Sequence, residues 1–422
     1  MTQDPKRQIN WKKNLLFIWL SQLLTLVGFA GVMPFIPIFL LEKFGIQDIN
    51  IRGQYMAMFN FFGMLSFAVC TPFWGYIADK FGRKIMLIRA SFCGAVIIPC
   101  MAFVPSVGWL IFVRFVSSMF SGTINAAQTL IASTTPKEHH GFALGTLSSA
   151  VWSGNMIGFL LGGVVVHYFG YTTAFLTCGG MYLLSGLLVT FFVEENFRRI
   201  PEEAKAAVAP GEKTITSPLP EKRKGIFAIL PAYSAQIYWI LVLFFIISFA
   251  RRFDEVYLAL QVESIGGTVN SELYTSWISA AAALGGIVAG AGMGYLADKF
   301  SPGVIAVPAV ILSALFVLGQ GFAPCLAALG IFRFMSFVTA GGLEPLFLTM
   351  LTKISPEGKR GAIIGWTASF RNFGTVTAAL IGGSIIGHWG IKSVYISAAA
   401  AFILILPLLI KILKTQNKPA VL

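Results

Sequence analysis

Charged residues are scarce in this sequence. Only 12% of its 422 residues are charged and 56% are hydrophobic, whereas an average soluble domain has about 25% charged residues. A soluble fold with so little charge would leave a large apolar surface in water, so we expect lipid to surround most of the chain. The sequence also lacks the alternating segments of transmembrane β-barrels, and it therefore predicts an all-α membrane protein.

Motifs of catalysis and cofactor binding are also missing. There is no GxxxxGK[ST] loop for ATP, and neither HExxH nor GxSxG occurs. The four histidines and five cysteines are not spaced like metal ligands. We therefore expect no enzyme activity, no cofactor and no metal site.

Apolar runs long enough to cross a bilayer recur along the whole chain, each near the roughly 20 residues that a helix needs. We assign twelve predicted spans with tight hairpins at 168–172 and 323–325: 14–41, 54–78, 86–104, 109–132, 141–168, 172–193, 236–260, 273–297, 304–323, 325–352, 361–386 and 394–413.

The basic residues predict the orientation of these spans. Most of the 31 Lys and Arg residues fall in loops on one side, whereas the opposite loops carry only Lys43, Arg52 and Lys392. The positive-inside rule places both termini of this multi-pass chain in the cytoplasm. This bias explains the net charge of +13 without a nucleic-acid partner.

The chain consists of two related halves. Residues 1–193 and 236–422 each hold six predicted spans, and the polar segment 194–235 is a predicted cytoplasmic linker. At an offset of 219 to 220, GYIADKF (75–81) matches GYLADKF (294–300), Arg114 matches Arg333 and Asn125 falls on Glu344. Such a repeat predicts a pseudo-two-fold axis and a substrate cavity between the halves.

Three stretches carry a family resemblance: INWKKNLLFIWL, GVMPFIPIFL and TPFWGYIADKFGRKIMLIR. The chain resembles the major facilitator superfamily and, within it, the twelve-helix drug:proton antiporter branch of MdtG-like multidrug efflux proteins. The resemblance implies the major facilitator fold of twelve transmembrane helices. It also implies a monomer that uses protons to export small amphipathic molecules by alternating access.

The segment after the second predicted span resembles the loop motif of this superfamily. It comprises Gly75, Asp79, Gly82 and Arg83, and a second copy retains Asp298. Gly75 is expected to permit close helix packing, and Asp79 to pair with Arg83 or to cap a helix. The resemblance implies a latch on the cytoplasmic side that opens when the protein turns inward; the alternative is a simple loop ion pair.

A glycine series in the fifth span resembles the antiporter motif of this branch. Gly154, Gly158, Gly162 and Gly163 predict a groove for close helix packing. Phe159 stands where the family pattern has proline.

The fourth span carries a polar stripe. On one continuous helix, Arg114, Ser118, Ser121, Asn125 and Gln128 fall within an arc of about 80°, which predicts a face toward a cavity. Arg114 matches a basic residue that the resemblance implicates in proton coupling. The alternative is a hydrogen-bonding brace between helices.

Three acids lie inside predicted spans: Asp254, Glu255 and Glu344. A proton-coupled carrier needs a carboxyl that gains and loses a proton during its cycle. We favour Glu344 for this role because it follows Arg333 by eleven residues and precedes a proline. A static pair of Glu344 with a neighbouring arginine is the alternative.

The seventh and eleventh spans contain arginines that a purely apolar drug pocket would not need. Arg251 and Arg252 are spaced to pair with Glu255, and Arg371 either adds a positive charge to the cavity or pairs with Glu344. An arginine cluster suits a carboxylate, so a carrier of a polar or anionic metabolite, such as a carboxylate siderophore, remains the second hypothesis. The other candidate cavity residues in the eleventh span are Trp366, Phe370 and Asn372.

Overall fold

A computed structural model shows the chain as a bundle of helices. It describes residues 10–136, 139–195, 235–355 and 360–416, and no strand occurs within those ranges. The helices are α1 (Trp11–Ala30), α2 (Ile36–Phe44), α3 (Ile49–Phe81), α4 (Arg83–Cys100), α5 (Val107–Met119), α6 (Thr123–Thr134), α7 (His140–Phe192), α8 (Ala235–Val256), α9 (Leu258–Gly266), α10 (Ser271–Lys299), α11 (Pro302–Gly321), α12 (Leu326–Ala340), α13 (Leu343–Ile354), α14 (Arg360–Trp389) and α15 (Ile391–Gln416).

The helices confirm the prediction of an all-α membrane fold. In the part of the chain that the structure describes, nine helical stretches are long and apolar enough to cross a membrane. One of them, Phe142–Phe192, has 51 residues, which at about 1.5 Å per residue exceeds twice the hydrocarbon thickness. The chain turns there at Gly170, where φ is 76°, so this stretch comprises two passes joined inside the predicted hairpin 168–172.

Four predicted spans are broken inside their predicted bounds, and the sequence did not predict these breaks. The first breaks between α1 and α2, the fourth between α5 and α6, the seventh at Tyr257 and the tenth at Gly341 and Gly342. Gly122, with φ of 116°, allows the break in the fourth span. The broken spans occupy equivalent places in the repeat, and discontinuous helices are typical of transporter sites.

Helix packing follows the two halves. In the first half α7 packs against α1 and α4, and in the second half α8 packs against α14 and α15. Two helix pairs make the most extensive contacts between the halves: α7 with α10, and α3 with α14. The predicted boundaries at 193 and 236 stay predictions, because residues 196–234 of the linker lie outside the described ranges.

Candidate functional site

A chamber of about 310 Å³ lies between the two halves. Residues of α1, α3, α5 and α7 line it on one side, and residues of α8, α9, α10 and α12 line it on the other. Apolar walls with few polar groups are typical of sites for small molecules. The larger apolar side chains of the lining are Phe29, Met33, Phe59, Trp152, Phe159 and Phe337.

One wall of the chamber contains a buried ion pair. Arg333 Nη1 donates to Asp254 Oδ2 at 2.7 Å and to Gln320 Oε1 at 3.2 Å. The side chains of Arg333 and Asp254 are only 3% and 5% exposed. Gln320 is held in turn, because its Nε2 donates to Ser336 Oγ at 3.2 Å. Asp254 is therefore a fixed counter-ion of Arg333 in this conformation.

Glu344 lies between two arginines from different helices. Its carboxylate oxygens are 3.8 Å from Arg251 Nη1 and 3.6 Å from Arg371 Nη1, which is beyond hydrogen-bond distance. The predicted pair between Arg252 and Glu255 is present, with Nη1 to Oε2 at 2.6 Å. Arg251 does not join that pair, because it extends toward Glu344 on α13 instead.

Arg114 faces the chamber from the first half. It is 8% exposed, and its Nε has no hydrogen-bond partner. The rings of Phe29 and Phe59 lie 5.4 and 5.2 Å from its guanidinium carbon, close enough for cation–π attraction. Among the described residues, no carboxylate lies within 4.0 Å of it.

The break after α5 divides the predicted polar stripe between two helices. Arg114 and Ser118 are buried on α5, but Asn125 and Gln128 lie on α6 and are exposed outside the chamber lining. The arc was calculated for one continuous helix, and Gly122 ends that continuity. Ser121 instead borders a second cavity of about 190 Å³, which Arg114 also lines.

The structure also places the predicted residues of the eleventh span away from the chamber lining. Arg371 and Asn372 are exposed on α14, while Trp366 and Phe370 are half-buried with ring centroids 6.4 Å apart. Arg371 reaches the charged cluster only through Glu344.

The halves are joined at one end of the bundle, which we call the α2–α9 face because both short helices lie there. Arg52 of α3 donates through both terminal nitrogens to the Glu263 carboxylate of α9, each at 2.5 Å. Arg52 has no exposed surface, and it also donates to Pro37 O and Gln47 O at 3.3 Å. This bidentate pair connects the two halves.

A second group of ionisable residues lies at the α2–α9 face. His167 Nδ1 of α7 is 3.9 Å from Glu272 Oε2 of α10, and the Glu42 carboxyl of α2 is within hydrogen-bonding reach of Glu272. None of these acids was predicted as a site residue, because Glu42, Glu263 and Glu272 each lie just outside a predicted span. The sequence does contain one indication of this group. Each of the three acids flanks a predicted span on the side of the membrane opposite the basic loops.

The opposite end, called the termini face because α1 begins and α15 ends there, is open. A Cβ added at Gly75, Gly145 or Gly292 would have no atom within 4 Å. Among the described residues, none makes the expected close helix contact at Gly75 in this conformation. The side chains of Asp79 and Asp298 lie outside the described residues, so their predicted pairing stays a prediction.

The helix that follows the loop motif is capped by a residue that the sequence did not reveal. Glu195 accepts hydrogen bonds from the backbone N–H groups of Arg83 at 3.0 Å and Lys84 at 2.8 Å. A carboxylate at a helix N-terminus is favourable, and this one ties the end of α7 to the beginning of α4. Gly82, with φ of 100°, makes the turn between α3 and α4.

The glycine series of α7 lies in a close helix contact. A Cβ at Gly154 would lie 2.8 Å from Leu26 Cβ, and one at Gly158 would lie 2.7 Å from Val27 O. Gly162 abuts the backbone of Gly31 on α1. Gly163 faces the other half, where Ser276 of α10 occupies the space of its missing Cβ.

The comparisons with known proteins agree with this architecture. The family model of the Major Facilitator Superfamily matches residues 18–266 and 244–421. The "Multi-drug resistance efflux pump PmrA homolog" of Lactococcus lactis subsp. lactis is 31% identical over 90% of both chains. The "Multidrug resistance protein MdtG" of Klebsiella pneumoniae is 30% identical over 93% of this chain and 91% of its own.

Solved structures show the same fold at low sequence identity. The nucleoside transporter NupG is 13% identical with a TM-score of 0.70, covering 94% of this chain and 99% of its own. An inward-facing, occupied bacterial homolog of the lysosomal transporter Spinster is 14% identical with a TM-score of 0.67, covering 98% of both chains. The helices, the chamber between two halves and the family match together establish that this multi-pass membrane transporter belongs to the Major Facilitator Superfamily.

Proposed function

We propose that the chain exports small amphipathic, drug-like molecules from the cytoplasm across the bacterial inner membrane, coupled to proton entry. In this proposal it works as a monomer with both termini in the cytoplasm. The halves 1–193 and 236–422, joined by the linker 194–235, move against each other. The two relatives described above are named drug-resistance proteins, and neither name suggests a siderophore, so we do not pursue that alternative.

The observation that carries the proposal is a chamber lined by both halves and sealed at one end only. Arg52 and Glu263 close the α2–α9 face. Further contacts between the halves occur in that part of the bundle, where Gly163 abuts Ser276 and Gly387 abuts Gln54. At the termini face, a Cβ at Gly75 or Gly145 would meet no described atom within 4 Å. With basic loops in the cytoplasm, the open face is the cytoplasmic one. A molecule dissolved in the cytoplasm or the inner leaflet can then enter, and closing the termini face would deliver it outward.

Glu344 is the proposed coupling acid. Asp254 is held by Arg333 at 2.7 Å and Glu255 by Arg252 at 2.6 Å, whereas both arginine contacts of Glu344 are longer than hydrogen bonds. Its side chain is 25% exposed, so a proton can reach it. A proton taken up from outside would neutralise Glu344 and free Arg251, and its release inside would restore the cluster.

The test measures proton release from everted membrane vesicles with an acidified interior. Adding ethidium, a lipophilic cation, should release protons from vesicles that contain the wild-type protein. Glu344→Gln should reduce this proton release at least about tenfold, because an amide side chain cannot bind and release the proton. Exchange of one ethidium cation for one proton moves no net charge, so the pH gradient of the vesicles drives it. Each additional proton exchanged would gain about 2.3 kcal/mol from a membrane potential of 100 mV.

Asp48→Asn is the matched control. Asp48 caps α3 through the backbone N–H of Asn50 at 2.7 Å, and Asn is an equally good N-cap. This variant removes a carboxylate far from the chamber and should retain full proton release. Proton release that persists in Glu344→Gln would reject Glu344 as the coupling acid, and absence of drug-dependent release in the wild type would reject the antiport proposal.

A further inference from the structure

The arginines that line the chamber or reach its charged cluster outnumber the carboxylates there. Within the described part of the chain, four arginines of the second half share three carboxylates. Arg114 of the first half has none within 4.0 Å. Two positive charges therefore lack a carboxylate of their own. A cavity with such an excess attracts anions.

Arg114 is the buried member of this excess. More than nine-tenths of its surface is buried, and its Nε has no hydrogen-bond partner. Its side chain lines both the chamber and the second cavity of about 190 Å³. A Cβ at Gly63 would lie 2.8 Å from that Nε, so the small residue on α3 leaves room for the guanidinium. The rings of Phe29 and Phe59 face its charge. A buried guanidinium without a carboxylate is the arrangement that an incoming anion would complete.

We propose that Arg114 is an anion-binding residue of the chamber, and that the exported molecules include amphiphiles bearing one carboxylate or sulfonate group. This inference rests on the proposed export function and names a substrate class for it. The acidic group pairs with the Arg114 guanidinium, and the apolar body lies against Phe29, Phe59 and Phe337. Arginine suits this role because its planar donors match carboxylate and sulfonate oxygens.

The position of Arg252 gives the bound anion a second effect. Arg252 lies in the other half, lines the same chamber and carries a charge of the same sign as Arg114. A closure that brings the two guanidiniums together is opposed by their repulsion. An anion between the two guanidiniums replaces repulsion by attraction to both halves, so binding favours the closed state.

The test uses two fluorescent probes with the same ring system. Anilinonaphthalene sulfonate is an anion and N-phenylnaphthylamine is neutral. Equilibrium binding is measured on the full-length protein in nanodiscs, with empty nanodiscs subtracted. Arg114→Gln should weaken sulfonate binding by at least about tenfold and leave binding of the neutral probe within about twofold.

Arg89→Gln is the matched control. Arg89 is a half-buried arginine of the same half, stacked over Trp74 at 3.5 Å and outside the lining of the chamber. Its removal should not change the ratio of the two affinities. The wild type alone supplies a second measurement: naphthoate should displace the sulfonate probe at least about tenfold better than the neutral naphthamide. This competition remains informative if Arg114→Gln does not fold.

The outcomes separate this inference from the proposed export function. Equal loss of both probes in Arg114→Gln, or equal displacement by naphthoate and naphthamide, would overturn the anion site. Export of ethidium and of the neutral probe without export of the sulfonate would also overturn it, while leaving drug export intact. Selective loss of sulfonate binding and export in Arg114→Gln, with the neutral probe unchanged, would support it.

Discussion

Arg114 and Arg333 occupy equivalent positions in the two halves but have opposite surroundings. Each is buried in the middle of the helix that precedes a break. Arg333 donates to Asp254 and Gln320, whereas Arg114 faces two aromatic rings. Cation–π attraction contributes about 0.5–2 kcal/mol, less than the several kcal/mol that burying an unpaired ion costs.

The sequence repeat identifies the residues that cause this difference between the halves. At the offset of 219, Met101 stands where the second half has Gln320, and the segment between α1 and α2, GVMPF, carries no acid to match Asp254. Ser117 and Ser336 remain equivalent. The second half thus supplies its arginine with permanent partners, and the first half leaves its arginine available to a ligand. One duplicated position serves structure in one half and binding in the other.

The largest expected effect comes from removing the carboxylate of Arg333. Asp254→Ala should destabilise the protein by about 3–5 kcal/mol, because it leaves a buried guanidinium unpaired. Denaturant unfolding in detergent micelles would measure this change. Arg114→Met in the same assay should cost less than about 1 kcal/mol or stabilise the protein. A loss as large as that of Asp254→Ala would show that Arg114 has a structural counterpart to Asp254.

A smaller effect is expected when Arg114 receives a carboxylate like that of Arg333. Phe59→Glu should lower the affinity for anilinonaphthalene sulfonate by about tenfold, or roughly 1.4 kcal/mol, because the new carboxylate occupies the guanidinium. Phe59→Gln removes the same ring without adding charge and serves as the control. Nanodisc binding measures both variants. Equal affinities in the two would mean that the anion does not bind at Arg114.

The smallest effect should come from making the second half resemble the first. Gln320→Met removes one of the two acceptors of Arg333 and should destabilise the protein by about 1 kcal/mol in the same unfolding assay. Met101→Leu, at the equivalent position, conserves volume and should change stability less. If Gln320→Met is neutral, Asp254 alone balances Arg333.

Residue spacing was sufficient to predict the repeat, the helical architecture and the pair between Arg252 and Glu255, because these depend on periodicity. The link from Glu344 to Arg371, which the sequence left as an alternative, also appears in the structure. Ideal helix geometry could not predict which way Asn125 and Gln128 face. The positive φ at Gly122 changes the chain direction, so the side chains of α6 do not continue the face of α5.

The pair between Arg52 and Glu263 could not be predicted, because its members are 211 residues apart in different halves. Both also lie at the ends of predicted spans, where a charge normally faces water. Similarly, nothing in a single sequence indicates that Arg251 turns away from Glu255 toward α13. Contacts between halves depend on the conformation, and a helical pattern contains no information about it.

The seal formed by Arg52 and Glu263 suits a molecule that must cycle. When the α2–α9 face opens, both ions lose their mutual attraction but regain water, and these two large terms nearly cancel. An apolar contact of the same size would be lost without such compensation. The seal therefore fixes the geometry of one conformation without making its free energy much lower than that of the other conformation. The binding free energy of a single molecule can then change which conformation is more populated.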